Sequence, residues 1–196
     1  MCIRDRVGTD ASIGLCKCFD AIQPVIGIEE LRSSKKIASS SAAGGLRMIV
    51  VGLTESLSLT AGKNAAYGAG AKIIKTFFGN LTKNEIEEIG DIQPEIILLC
   101  GGYENGNTTW VLENAKKIAA SPTIQAPVVY AGNSHIAAEV RLAFMQHDKI
   151  CILAHNIIPA INALDIESSV EAVRNIFMKR ITHMKGFDTV SYTHLR

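Results

Sequence analysis

Ile96-Ile97-Leu98-Leu99-Cys100-Gly101-Gly102-Tyr103-Glu104-Asn105-Gly106-Asn107, residues 96–107, decides the fold. An unbroken apolar run of strand length has no polar face, so both of its faces must be covered. Strands of that kind belong to parallel sheets clad by helices. The glycines end the run. Beyond them, 107–120 reads as a helix with Val111, Ala115, Ile118 and Ala119 on one face and Asn107 in the N-cap position.

The same unit recurs on either side. Residues 71–78 read as a strand, and 82–90 as a helix opened by Thr82 with Glu85 three residues on. Leu81 and Ile86 occupy the two staple positions around that capping box. Residues 126–131 form the next strand, with Pro127 at its start. A helix over 134–146 turns Ile136, Val140 and Phe144 inward, and 149–154 is a further strand. Helical crossovers between apolar strands imply parallel pairing. The order β-α-β-α-β-α-β therefore predicts an α/β fold with a doubly wound, mostly parallel sheet. A last helix over 165–185 carries Ile166, Val170, Val173, Phe177, Ile181 and Met184 at helical spacing, and Lys185-Gly186 suits its end.

The front half reads differently. Residues 10–22 suit a helix, and 36–40 and 46–53 suit strands separated by a turn rich in Ser and Gly. A helix over 58–70 contains Gly62 and Gly68. Each interior glycine costs about 1 kcal/mol relative to Ala, so the pattern predicts a backbone that packs closely on a neighbour.

Composition bounds the function. The chain has 196 residues, 47% of them apolar, and a formal net charge of +1. Acidic and basic residues are interspersed, so neither nucleic acid nor a membrane is indicated as a partner. Apolar runs are of strand length only. Five cysteines is an odd number without disulfide-framework spacing, which suits a reducing, cytoplasmic compartment. Cys100 and Cys151 sit in apolar runs and read as small core residues. Cys16 and Cys18 have no second pair to complete a metal site. Residues 1–6 (Met-Cys-Ile-Arg-Asp-Arg) and 190–196 (Val-Ser-Tyr-Thr-His-Leu-Arg) resemble translated adapter read-through. They are expected to be non-native ends on a fragment of a longer protein.

Candidate ligand contacts gather at strand ends. Gly101, Gly102 and Asn107 follow one strand and open a helix, where free N–H groups favour an anion. A plain connection with Asn107 as a cap fits the same residues. Asn133 follows a second strand, and His155-Asn156 a third. In a parallel sheet all three endings share one edge, the edge on which ligands bind. Ser39-Ser40-Ser41-Ala42-Ala43-Gly44-Gly45 joins three hydroxyls to two glycines and permits close approach by a phosphate or a partner segment. A tight turn between strands is the other reading. Familiar signatures are missing: Gly62-Lys63 is preceded by Leu57 where a phosphate loop needs glycine, and Gly68-Ala69-Gly70 lacks the third glycine of a dinucleotide fingerprint.

The run Lys36-Ile37-Ala38-Ser39-Ser40-Ser41-Ala42-Ala43-Gly44-Gly45-Leu46-Arg47-Met48-Ile49-Val50-Val51-Gly52-Leu53 closely resembles the glutamate mutase L family. So do Asn64-Ala65-Ala66-Tyr67-Gly68-Ala69-Gly70-Ala71-Lys72, Ile97 to Gly102, Val128 to Asn133, Asn156-Ile157-Ile158-Pro159 and Lys185-Gly186-Phe187-Asp188. The resemblance covers roughly residues 10–188. It implies an actin-like, sugar-kinase-like ATPase fold, with 7–70 as part of the N-terminal lobe and 71–189 as a Rossmann-like segment. It further implies a chaperone-like accessory protein that reactivates adenosylcobalamin-dependent glutamate mutase or related aminomutases. ATP and Mg are the cofactors so implied for the full-length family, and cobalamin enters only through the partner mutase. The family's two phosphate segments, of Asp-x-Gly-Ser and Asp-x-Gly-Gly type, are not in this sequence. This chain alone is therefore not expected to bind ATP. The family name MutL is shared with a DNA mismatch-repair protein. Glu171-Ala172-Val173-Arg174-Asn175 matches that protein's Glu-x-x-x-Asn only on an amphipathic helix, with no Asp-x-Gly-x-Gly beside it. A cobalamin- or small-molecule-binding Rossmann-like module is the alternative function. None of His135, His147, His155 or His183 stands in the Asp-x-His-x-x-Gly context of a cobalt ligand.

Overall fold

The computed structural model describes residues 11–34, 46–104, 106 and 108–182, with side chains for 17–34, 46–104, 106 and 108–178. The expected strand at 36–40 and the two expected non-native ends lie outside the described residues. The chain divides into two compact units, Met1–Gly44 with Phe177–Arg196, and Gly45–Ile176. In the first unit the expected front helix forms as α1 (Ala11–Ile26). Gly27, at φ 82°, turns the chain into the short α2 (Ile28–Ser33).

The second unit alternates strand and helix as the apolar runs require. Its elements are β1 (Arg47–Gly52), a π-helical turn (Glu55–Leu59), α3 (Thr60–Gly68), β2 (Lys72–Phe78), α4 (Lys83–Ile92) and β3 (Ile96–Gly101). There follow α5 (Thr109–Ala120), β4 (Val128–Gly132), a 3₁₀ turn (Ser134–Ile136) with α6 (Ala137–Met145), β5 (Cys151–Leu153), and the start of α7 (Glu167–Thr182). Among the described residues five strands form one sheet, all parallel, in the order β2-β1-β3-β4-β5. This is a doubly wound α/β sheet. β1, from the stretch read as part of a first lobe, lies inside the sheet between β2 and β3, so residues 47–52 and 72–153 share one sheet.

The strand order explains where the helices lie. From β1 the chain moves outward to β2, then back past β1 to β3, β4 and β5. Crossovers of a single hand then put α3 on one face and α4, α5 and α6 on the other. Ile49, Val51, Ile97, Leu99, Val128 and Tyr130 turn to the second face. There they form one core with Ile89, Val111, Ala115, Ile118, Val140 and Phe144. On the first face α3 comes in at its glycine. A Cβ at Gly62 would lie 2.7 Å from Val50 Cγ1 and 2.8 Å from Cys100 Sγ. The close approach expected from a glycine-bearing helix is thus found, against β1 and β3. α7 reaches the same layer: Arg174 Nη2 donates to the Gly68 carbonyl at 2.8 Å.

The capping box forms as read. Thr82 Oγ1 accepts from the Glu85 N–H at 3.3 Å, and Glu85 Oε2 accepts from the Thr82 N–H at 2.8 Å. Caps of this kind contribute about 1 kcal/mol each. Elsewhere local chemistry shifts the boundaries. α5 starts at Thr109, and Thr108 in the N-cap position makes no side-chain cap bond. The α-helix expected from 58 starts at Thr60, directly after a π-helical turn over Glu55–Leu59 whose N-cap, Thr54, accepts the Ser58 N–H. The strand expected over 149–154 narrows to three residues at the sheet edge.

One buried group in α7 is unsettled. Ser169 is 0% exposed, and among the described residues its Oγ has no hydrogen-bond partner. A buried hydroxyl left unpaired costs about 1–3 kcal/mol. We therefore expect Ser169→Ala to melt at the same temperature as the wild type or a few degrees higher, by differential scanning calorimetry. A clear fall in melting temperature would show that the hydroxyl has a partner.

Candidate functional site

Parallel pairing brings the carboxyl ends of all five strands to one edge, and glycines let those ends close on one another. Gly101 and Gly102, at φ 130° and 80°, carry the chain out of β3. A Cβ at Gly101 would stand 2.6 Å from Leu53 Cβ, and one at Gly132 would stand 2.6 Å from the Gly101 carbonyl oxygen. The ends of β1, β3 and β4 are seamed backbone to backbone.

The polar residues at these ends meet one another. Asn133 is 1% exposed, and its Nδ2 donates to the carbonyls of Tyr103 at 2.5 Å and Glu104 at 2.9 Å. Its Oδ1 accepts from the His135 N–H at 2.9 Å, which opens the 3₁₀ turn. Asn156 is 5% exposed, and its Nδ2 donates to the Gly102 carbonyl at 2.9 Å and to Glu104 Oε1 at 2.8 Å. Its Oδ1 accepts from the Ile158 N–H at 3.1 Å. Tyr130, buried in β4, donates its hydroxyl to the Asn133 carbonyl at 2.8 Å. The sheet thus gathers Gly101, Gly102, Asn133 and Asn156 at one edge, and the two amides there are engaged in tying loops together.

Glu104 is the hub. Its Oε2 accepts from the Ser134 N–H at 3.1 Å and from the Ser134 hydroxyl, while Oε1 takes Asn156. One carboxylate therefore joins the loops that follow β3, β4 and β5. It also sits at the start of the helical segment after β4, where free N–H groups favour negative charge. Partial burial alone would raise its pKa. The hydrogen bonds from Ser134 and Asn156, with His135 nearby, outweigh burial and hold the carboxyl below its ordinary value. The sign follows: the stabilisation is complete above the ordinary carboxylate range and is lost as pH falls through the lowered folded value. We expect Glu104→Gln to melt below the wild type at neutral pH, with the gap narrowing as the pH falls below about 4. A gap that stays constant with pH would mean the charge contributes nothing.

The point where the strand order reverses, between β1 and β3, is the usual ligand crevice of such sheets. Here the chain fills part of it. Ser58 Oγ accepts from the N–H groups of Leu53 at 2.7 Å and Thr54 at 2.8 Å, and donates to the Thr54 carbonyl at 3.1 Å. The backbone donors at the end of β1 are thereby taken up internally.

The remaining candidates take ordinary places. His155 is exposed; its N–H donates to Ser168 Oγ at 3.0 Å, and its Nδ1 lies 3.5 Å from Asp165 Oδ2. Cys100 is buried, with its thiol pushed up to about 12 by desolvation, and its Sγ lies 3.3 Å from the Ser58 carbonyl. Burial likewise pushes Cys151 up to about 12. Cys100 is the core residue expected, whereas Cys151, on the edge strand, is only partly buried and packs against the core from outside. Ser39, Ser40, Ser41, Gly44, Gly45 and Asn107 lie outside the described residues. Among the described residues no three His, Cys, Asp or Glu side chains gather as metal ligands, and no helix is long and apolar enough to cross a membrane. Glu104, Ser134 and Ser58 were not marked out by the sequence. Glu104 finds Ser134 and Asn156 across 30 and 52 residues of chain, and no local pattern announces such a pairing.

Comparison with known proteins adds the lineage. The family model described as MutL protein matches residues 5–194. Protein MutL of Clostridium tetanomorphum is 37% identical over 180 residues, which are 92% of this chain and 39% of that protein. The chain thus spans about two fifths of the length of this curated relative. Among solved structures, a short-chain flavodoxin associated with a bacterial microcompartment is similar at a TM-score of 0.48 and 12% identity. It covers 68% of this chain and 98% of its own. The response regulator domain of Thermotoga maritima CheB gives a TM-score of 0.39 at 12% identity, covering 74% and 98%.

Proposed function

The chain belongs to the MutL protein family, the glutamate mutase L proteins, and from that premise we propose that it is part of an accessory protein serving an adenosylcobalamin-dependent glutamate mutase or a related aminomutase. The observation that carries this reading is the family match along nearly the whole chain. In the proposal the intact protein reactivates its mutase in a chaperone-like way, exchanging damaged cobalamin. ATP and Mg, bound by segments outside this chain, drive the opening and closing of two lobes. The described part supplies framework. Its carboxyl edge is closed by side chains that bond to one another, which suits a wall that transmits movement better than a reacting centre. The serine-glycine turn, Ser39 to Gly45, is proposed to lie near the cleft between lobes.

The test uses the intact protein and a mutase inactivated by turnover. Added ATP, Mg and fresh adenosylcobalamin are expected to restore mutase activity only when the accessory protein is present. Replacing Gly44 and Gly45 with Val is expected to slow that recovery without a matching drop in melting temperature. No recovery with the intact wild type would end the reading. Recovery at the wild-type rate in the double variant would reduce the turn to a connector. Calorimetry of this chain alone is expected to show no ATP binding.

A further inference from the structure

We draw no further inference here: the strongest candidate, the exposed apolar strip of Met145, Ile150 and Leu153 at the end of α6 and along the free edge of β5, carries nothing because nothing in the structure shows what covers it.

Discussion

Gly101→Ala is expected to lower the melting temperature by about 10 °C or more, since a loss of 1 kcal/mol shifts a domain of this size by about 2–4 °C. Two costs combine. At φ 130° a residue with a Cβ is strained by about 1–3 kcal/mol. The new Cβ would also overlap Leu53, at 2.6 Å from its Cβ and 3.0 Å from its nitrogen. Neither atom is the free end of a side chain, so relief requires the ends of β1 and β3 to separate. Overpacking of that kind costs about 1–3 kcal/mol, and the sum is a large share of a typical stability of about 5–15 kcal/mol. Gly70→Ala is the control. Gly70 also has positive φ, 76°, but a Cβ there meets nothing within 4 Å. Its variant should show the conformational cost alone. Equal losses of melting temperature for the two variants would mean that the seam between β1 and β3 is loose and that the carboxyl edge is not close-packed there.

What the sequence made legible was what depends on neighbours along the chain. The apolar runs at 96–101 and 128–132 became strands buried on both faces, as a run without a polar face requires, while 72–78, with Lys72, Lys75 and Thr76, forms the exposed edge strand. Thr82 and Glu85 announced α4 because a capping box is complete within four residues. Gly62 announced close packing, and Val50 and Cys100 supplied the surface it meets. The place of β1 between β2 and β3 was not legible, because strand order is fixed by long-range pairing. The site was legible only in position. Parallel strands had to bring Gly101, Gly102, Asn133 and Asn156 to one edge, and they do. That Asn133 and Asn156 would bond to backbone carbonyls of the β3 loop depends on loop paths that no spacing encodes. The same holds for Ser58, whose hydroxyl accepts the Leu53 and Thr54 N–H groups from within a π-helical turn.

Asn114→Ala should be the most damaging polar substitution in α5. Asn114 is 1% exposed, accepts the Leu81 N–H at 2.8 Å and donates to the Gly79 carbonyl at 2.7 Å. Those two groups lie in the turn that leaves β2. The turn is held from the other side by the Gly79 N–H, which donates to the carbonyls of Gly52 at 3.1 Å and Leu53 at 3.2 Å. Leu81 is itself 1% exposed, and Thr82 of the capping box follows it directly. Truncation to Ala leaves the buried Leu81 donor and the half-buried Gly79 acceptor without their partners, at up to about 1–3 kcal/mol each. The expected loss is therefore up to about 2–6 kcal/mol, well above that from Lys117→Met. Lys117 Nζ reaches the same turn, donating to the Leu81 carbonyl at 2.6 Å, but from a half-exposed position where water can replace it. Urea unfolding of the two variants gives the ranking, and hydrogen exchange at the Leu81 amide gives the cause. In Asn114→Ala that amide should exchange far faster than in Lys117→Met. If it stays protected while stability drops, the damage arises within α5. The asparagine would then not be the residue that fastens the end of β2 to the helical layer and, through Gly52 and Leu53, to the crevice between β1 and β3.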